Sequence, residues 1–141
     1  MPRREEAKRR ILAPWLSRAR SDLGAAEHWV GEGSLFPSAA AFHCQQTAEK
    51  LIKAFLAWNE IDFPKRHDLK ELLDLAASIN KRLADELRQV IAPAPYGVEL
   101  RYPEDQPEAS PDEARRALTL ARQVRDTILP LLPDLSADTG G

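Results

Sequence analysis

A chain of 141 residues with 22 acidic and 20 basic side chains carries a formal charge of −2, which argues against broad, non-specific nucleic-acid binding and leaves room only for a local basic site. The single Cys44 excludes an internal disulfide and a thiolate zinc cluster. No apolar run approaches the roughly 20 residues of a membrane span, and the basic start (Arg3, Arg4, Lys8, Arg9, Arg10) lacks the unbroken apolar core of a signal peptide, so a cytoplasmic protein is expected. The length suits one domain over residues 1–135, with a frayed tail at 136–141. A chain of this size buries roughly two-thirds of its unfolded surface, enough for a core without staples.

In chain order, Leu12, Trp15, Leu16, Ala19, Leu23, Ala26 and Val30 recur in steps of three and four and predict a first helix over about 5–30. Pro14 is expected to kink or separate its opening turns. Gly31 and Gly33 follow as stop signals, and the short connection to Pro37 predicts an antiparallel return. The second helix, about 36–58, is apolar over most of its circumference. Only a strip through Gln46, Glu49, Lys50, Lys53 and Ala57 looks fit for water. Such a helix needs neighbours on several sides and should be the central post of a bundle.

Pro64 marks a connector. Asp68 and Glu71 then form an acidic capping pair ahead of a short third helix, and Asn80 can cap a fourth carrying Leu83, Leu87, Val90 and Ile91. The stretch 92–109 has four prolines and no helical period, and reads as a long loop, partly packed down through Tyr96, Leu100 and Tyr102. Ser110-Pro111-Asp112-Glu113 is a strong helix start, and Ala114, Ala117, Leu118, Ala121, Val124 and Ile128 give the last helix its stripe, up to Pro130. The expected fold is therefore all-α: an up-and-down antiparallel bundle of four to five helices, with a long Pro-rich loop before the last.

Three local signals, in this order, resemble the HEPN domain family. They are Arg20-Ser21-Asp22-Leu23 with Ala25-Ala26; the run from Phe36-Pro37 through Ala41-Phe42-His43-Cys44-Gln45-Gln46-Thr47-Ala48-Glu49-Lys50; and His67-Asp68-Leu69 with Leu72-Leu73, followed by Arg101-Tyr102-Pro103 and an alanine-rich last helix. The resemblance implies a helical bundle that usually homodimerises. Many bacterial members are encoded beside a minimal nucleotidyltransferase. Some are toxins of toxin–antitoxin pairs acting as metal-independent ribonucleases, others are binding or scaffold modules, and some bind nucleotides.

Ribonucleolytic members carry an arginine, then four to six residues, then a histidine. The imidazole moves a proton near neutral pH while the guanidinium holds the scissile phosphate. Here the required arginine positions before His28, His43 and His67 fall within Ser21–Leu23, Phe36–Ser38 and Glu60–Asp62, and none is arginine. After Arg101 the histidine places hold Gln106, Pro107 and Glu108. The leading expectation is thus a non-catalytic dimeric module working with a minimal nucleotidyltransferase and binding nucleotide or RNA phosphate, with no cofactor or metal. Arg101, Tyr102, Lys65, Arg66 and His67 are its candidate ligand residues: arginine clamps phosphate, tyrosine stacks on a base, and the basic run precedes a helix N-terminus. The alternatives are an endoribonuclease with a rearranged site using Arg101 with His43 or His67, and a ligand-free dimeric scaffold.

The plainer readings stand beside these. His43 among apolar neighbours suits a hydrogen-bonded core or interface histidine, and His67 a cap or loop anchor. Glu49, Lys50 and Lys53 read as a solvated charge strip, Cys44 as a packed thiol, and Trp15, Trp29 and Trp58 as core or interface. Asp22, beside an apolar stripe, is expected to pair with a buried arginine or histidine.

Overall fold

The computed structural model describes residues 2–30, 36–63, 65, 69–91 and 109–135. Among these, five α-helices follow one another: α1 (Pro2–Val30), α2 (Pro37–Trp58), α3 (Leu69–Ala77), α4 (Lys81–Ile91) and α5 (Pro111–Ile128), the last running into a 3-10 turn at Leu129–Leu131. The bundle is all-helical, as the apolar spacing predicts. The described residues contain no strand. None of these helices is long and apolar enough to cross a membrane.

α1 and α2 form an antiparallel hairpin. Arg4 near the start of α1 meets Glu60 just past the end of α2 at 2.5 Å, and Asp22 meets His43 at 3.0 Å. α5 runs antiparallel to α1, since Glu27 pairs with Arg122 at 3.0 Å while Arg9 reaches the Asp134 carbonyl at 3.5 Å. It therefore lies parallel to α2, and the Ser38 hydroxyl at the start of α2 accepts the Ala109 N–H at 2.8 Å as the chain enters α5.

Residue size divides the core. Toward the start of α2 the contacts are Ala26, Ala41, Cys44, Ala117 and Ala121 with Leu23 and Leu118, which lets three helices approach closely. Toward its end, Leu12, Ile52, Phe55 and Leu56 meet Leu69, Leu72, Leu73, Leu83 and Leu87, and the short α3–α4 hairpin widens the bundle.

Caps fix the element ends. Asn80 Oδ1 accepts the Leu83 N–H at 3.0 Å and starts α4. Ser110 and Glu113 form a reciprocal capping box at 3.1 Å in each direction, as the sequence predicts. α2 ends in a Schellman arrangement: the Ile61 N–H reaches the Leu56 carbonyl, and the Glu60 N–H the Ala57 carbonyl. Glu60 takes the left-handed position (φ 60°) that usually falls to glycine, at a cost of roughly 1–2 kcal/mol. Its bond to Arg4 and the packing of Ile61 on the core hold it there.

Two expectations change. Pro14 does not divide the first helix, which is α-helical from Pro2 to Val30. One missing N–H is tolerated because Leu12 and Ala19, on either side of Pro14, are both buried in the core. The strip on α2 is not a solvated face either. Glu49 is 0% and Lys53 3% exposed, and Gln46, Lys50 and Ala57 are half-buried. The i,i+4 pairing itself is present: Lys53 Nζ donates to Glu49 Oε1 at 2.6 Å, with Lys50 Nζ 3.5 Å from Glu49 Oε2. Trp15 and Phe63, edge to face at 5.5 Å, cover the pair, and the Lys53 ammonium sits 5.4 Å from the Trp15 ring centre and 5.7 Å from that of Phe63.

Removing one member of a buried pair leaves an uncompensated charge, whereas replacing both by apolar groups of similar volume does not. Lys53→Met alone is expected to lower unfolding free energy by roughly 3–5 kcal/mol in urea denaturation, and the double variant Glu49→Leu/Lys53→Met to recover most of that loss. A single variant costing under about 1 kcal/mol would show that the pair is effectively solvated.

Candidate ligand sites on the helical bundle

Asp22 occupies an α1 position beside the apolar stripe, and α2 returns with His43 opposite it. His43 Nδ1 lies 3.0 Å from Asp22 Oδ1, with both side chains half-buried. This is the pairing expected for Asp22. A carboxylate at Nδ1 orients the ring and turns Nε2 away from Asp22. The pair lies toward the same end of the hairpin as an aromatic cluster. The Trp29 ring centre is 4.9 Å from that of Phe36 and 4.8 Å from that of His28, and Phe42 lies 5.8 Å from His43. Phe36 is half exposed.

One turn along α2 from His43, Thr47 donates its hydroxyl to the His43 carbonyl at 2.8 Å and lies at the floor of a cleft of about 330 Å³ between α1 and α5. Leu16 and Leu23 of α1, Leu51 of α2 and Leu129 give it aliphatic walls. Arg20 of α1 and Arg125 of α5 stand at it. Glu27 also lines it, with its carboxylate bound to Arg122. Gly24 completes the α1 wall, and a Cβ built there would meet nothing within 4 Å. Glycine inside a helix costs roughly 0.5–1 kcal/mol relative to alanine, so no packing within the described chain calls for it.

A second cleft, of about 440 Å³, lies where the start of α1 passes the end of α2. Its cations are engaged: Arg4 binds Glu60, and Lys8 sits 4.1 Å over the Trp58 ring. Glu60 and Asp62 also line it, so its charge is close to balanced. Trp15 and Trp58 pack partly on the core here, as expected for core aromatics.

Of the ligand residues named from sequence, Lys65 is exposed in the connector before α3. Arg66, His67, Arg101 and Tyr102 lie outside the described residues. Among the described residues, His43 is bonded to Asp22 and to no arginine. The arginine-rimmed cleft is not evident from the sequence, because it needs α1 and α5 side by side. Gly24, within an otherwise good helix former's stretch, is the one local signal that could have pointed to it.

Cys44 is buried, and burial pushes its thiol up to about 12, against a smaller opposing pull from the Arg122 charge. The group is therefore a packed thiol and not a nucleophile at neutral pH. The folded form keeps its proton where the unfolded form, near 9.0, has lost it. Stability contributed by this group is therefore complete below about pH 9 and falls as pH rises from there toward 12. Native protein is expected to resist an aromatic disulfide thiol reagent at neutral pH and to react fully once unfolded in urea. Rapid labelling of native protein would contradict the packing of Cys44.

The model of the HEPN domain matches residues 12–131, most of the chain and all of the bundle from the middle of α1 to the 3-10 turn. No curated protein and no solved structure gave a match. The family match covers most of the chain, and the chain belongs to the HEPN domain family.

Proposed function

We propose that this protein is a non-catalytic HEPN module: one domain over 1–135 that homodimerises, works in the cytoplasm with a minimal nucleotidyltransferase as one half of a toxin–antitoxin-like pair, and binds nucleotide or RNA phosphate. The observation that carries the reading is that, among the described residues, His43 is bonded to the Asp22 carboxylate and to no guanidinium. No histidine in the chain follows an arginine at the ribonuclease spacing, and the one thiol is sealed in the core. A ribonuclease needs a base and a phosphate clamp together, whereas a binding module needs only the clamp.

The phosphate clamp is assigned to Arg101 with Lys65 and Arg66, with Tyr102 as the stacking surface and His67 at the start of α3. Dimerisation follows what is usual in the family, and Ile11, Phe36, Leu129 and Leu131 are large apolar side chains that stay exposed on one copy. A second reading, a metal-independent endoribonuclease, draws on the same Asp22–His43 pair, because a carboxylate-held imidazole is a competent proton acceptor.

Titrating ATP into the protein by calorimetry, and incubating RNA with it in EDTA, separates these readings. Saturable binding that weakens about tenfold or more in Arg101→Ala, with RNA left intact, is the expected result. RNA cleavage lost in His43→Ala would establish the nuclease instead, and neither binding nor cleavage would leave a scaffold.

A further inference from the structure

We propose that the cleft between α1 and α5 is a ligand site in its own right, built for a small anion with an aliphatic body: a medium-chain carboxylate or an alkyl phosphate. Its volume of about 330 Å³ falls in the range of small-molecule sites. Its charge selects the head group. Glu27, the one acid among the described residues at the cleft, is paired with Arg122 at 3.0 Å. Arg20 has no ion-pair partner among the described residues, and Arg125 is bonded only to its exposed sequence neighbour Asp126 at 2.9 Å. A contact of that kind yields readily to a better acceptor. Thr47 spends its hydroxyl proton on the His43 carbonyl, which leaves the two guanidinium groups as the side-chain donors at the cleft. Planar guanidinium pairs match carboxylate and phosphate oxygens.

The walls select the body of the ligand. Leu16, Leu23, Leu51 and Leu129 are aliphatic, and among the described residues no aromatic ring lines the cleft to offer a nucleobase a stacking surface. Leu129, 41% exposed, stands where such a body would cover it. Gly24 supplies the third element. It is itself exposed, and its missing side chain leaves the α1 wall low, so that a large side chain there would stand over the mouth of the cleft. This site shares no residue with the phosphate clamp assigned to Arg101, Lys65 and Arg66, so either can fail without the other.

Octanoate, octyl phosphate, acetate and inorganic phosphate, each below any micellar concentration, are titrated into the full chain by calorimetry. Saturable binding of octanoate or octyl phosphate is expected, the tighter of the two identifying the head group. Acetate and inorganic phosphate should bind at least about tenfold more weakly, because each buried methylene adds to affinity. Arg20→Gln and Arg125→Gln should each weaken the chosen probe by about tenfold. Gly24→Leu should abolish binding with an unfolding transition no lower than that of the parent. The proposal is overturned if neither octyl probe binds at millimolar concentration, if the short anions bind as tightly, or if both glutamine variants bind as tightly as the parent.

Discussion

α2 has no fully exposed residue, only a half-buried strip through His43, Gln46 and Lys50, and the rest of the molecule follows from that constraint. From Ala40 to Phe55 every turn of this helix puts side chains into the interior, including two that are formally charged. A lone carboxylate at zero exposure would be expensive, so Glu49 is tolerable only because lysines flank it on the same helix. The lysine that lies deepest is in turn covered by Trp15 of α1 and by Phe63 beyond the end of α2. The ion pair therefore also fixes where α1 passes α2, since the aromatic cover must sit directly over it.

The same post sets the spacing of its neighbours. Alanines and Cys44 near its start let α1 and α5 approach closely, while leucines and Phe55 near its end hold the α3–α4 hairpin outward. Between these two regimes the α1 and α5 walls part and leave the arginine-bearing cleft over Thr47 and Leu51. Asp22 and His43 close the hairpin on α1 and α2, and the Ser38–Ala109 bond ties the entry of α5 to the start of α2. The α1–α5 cleft is thus a product of how side-chain size is distributed along one helix.

Much of this is legible in the sequence. The breadth of the apolar surface on α2, the capping residues Asn80 and Ser110, and a lone aspartate beside an apolar stripe each carry a local physical meaning that the fold preserves. The exceptions share a cause. Glu49 and Lys53 have the spacing of an exposed pair, and only the arrival of Trp15 and Phe63 from elsewhere in the chain makes them interior. Pro14 looks like a break because local rules do not include the core contacts of Leu12 and Ala19. Arg20 and Arg125 are separated by most of the chain and meet one cleft only after folding. Glu60 in a glycine-like conformation has no sequence signal, since the Arg4 partner that holds it lies at the opposite end of the hairpin.

Native-state amide hydrogen exchange tests the encircled post most directly. If α2 is the element on which the others close, the amides from Thr47 to Phe55 should be the slowest in the molecule and exchange only through global unfolding, with a free energy equal to that from urea denaturation. Exchange of those amides by local opening, as fast as in α3 or α4, would contradict the account.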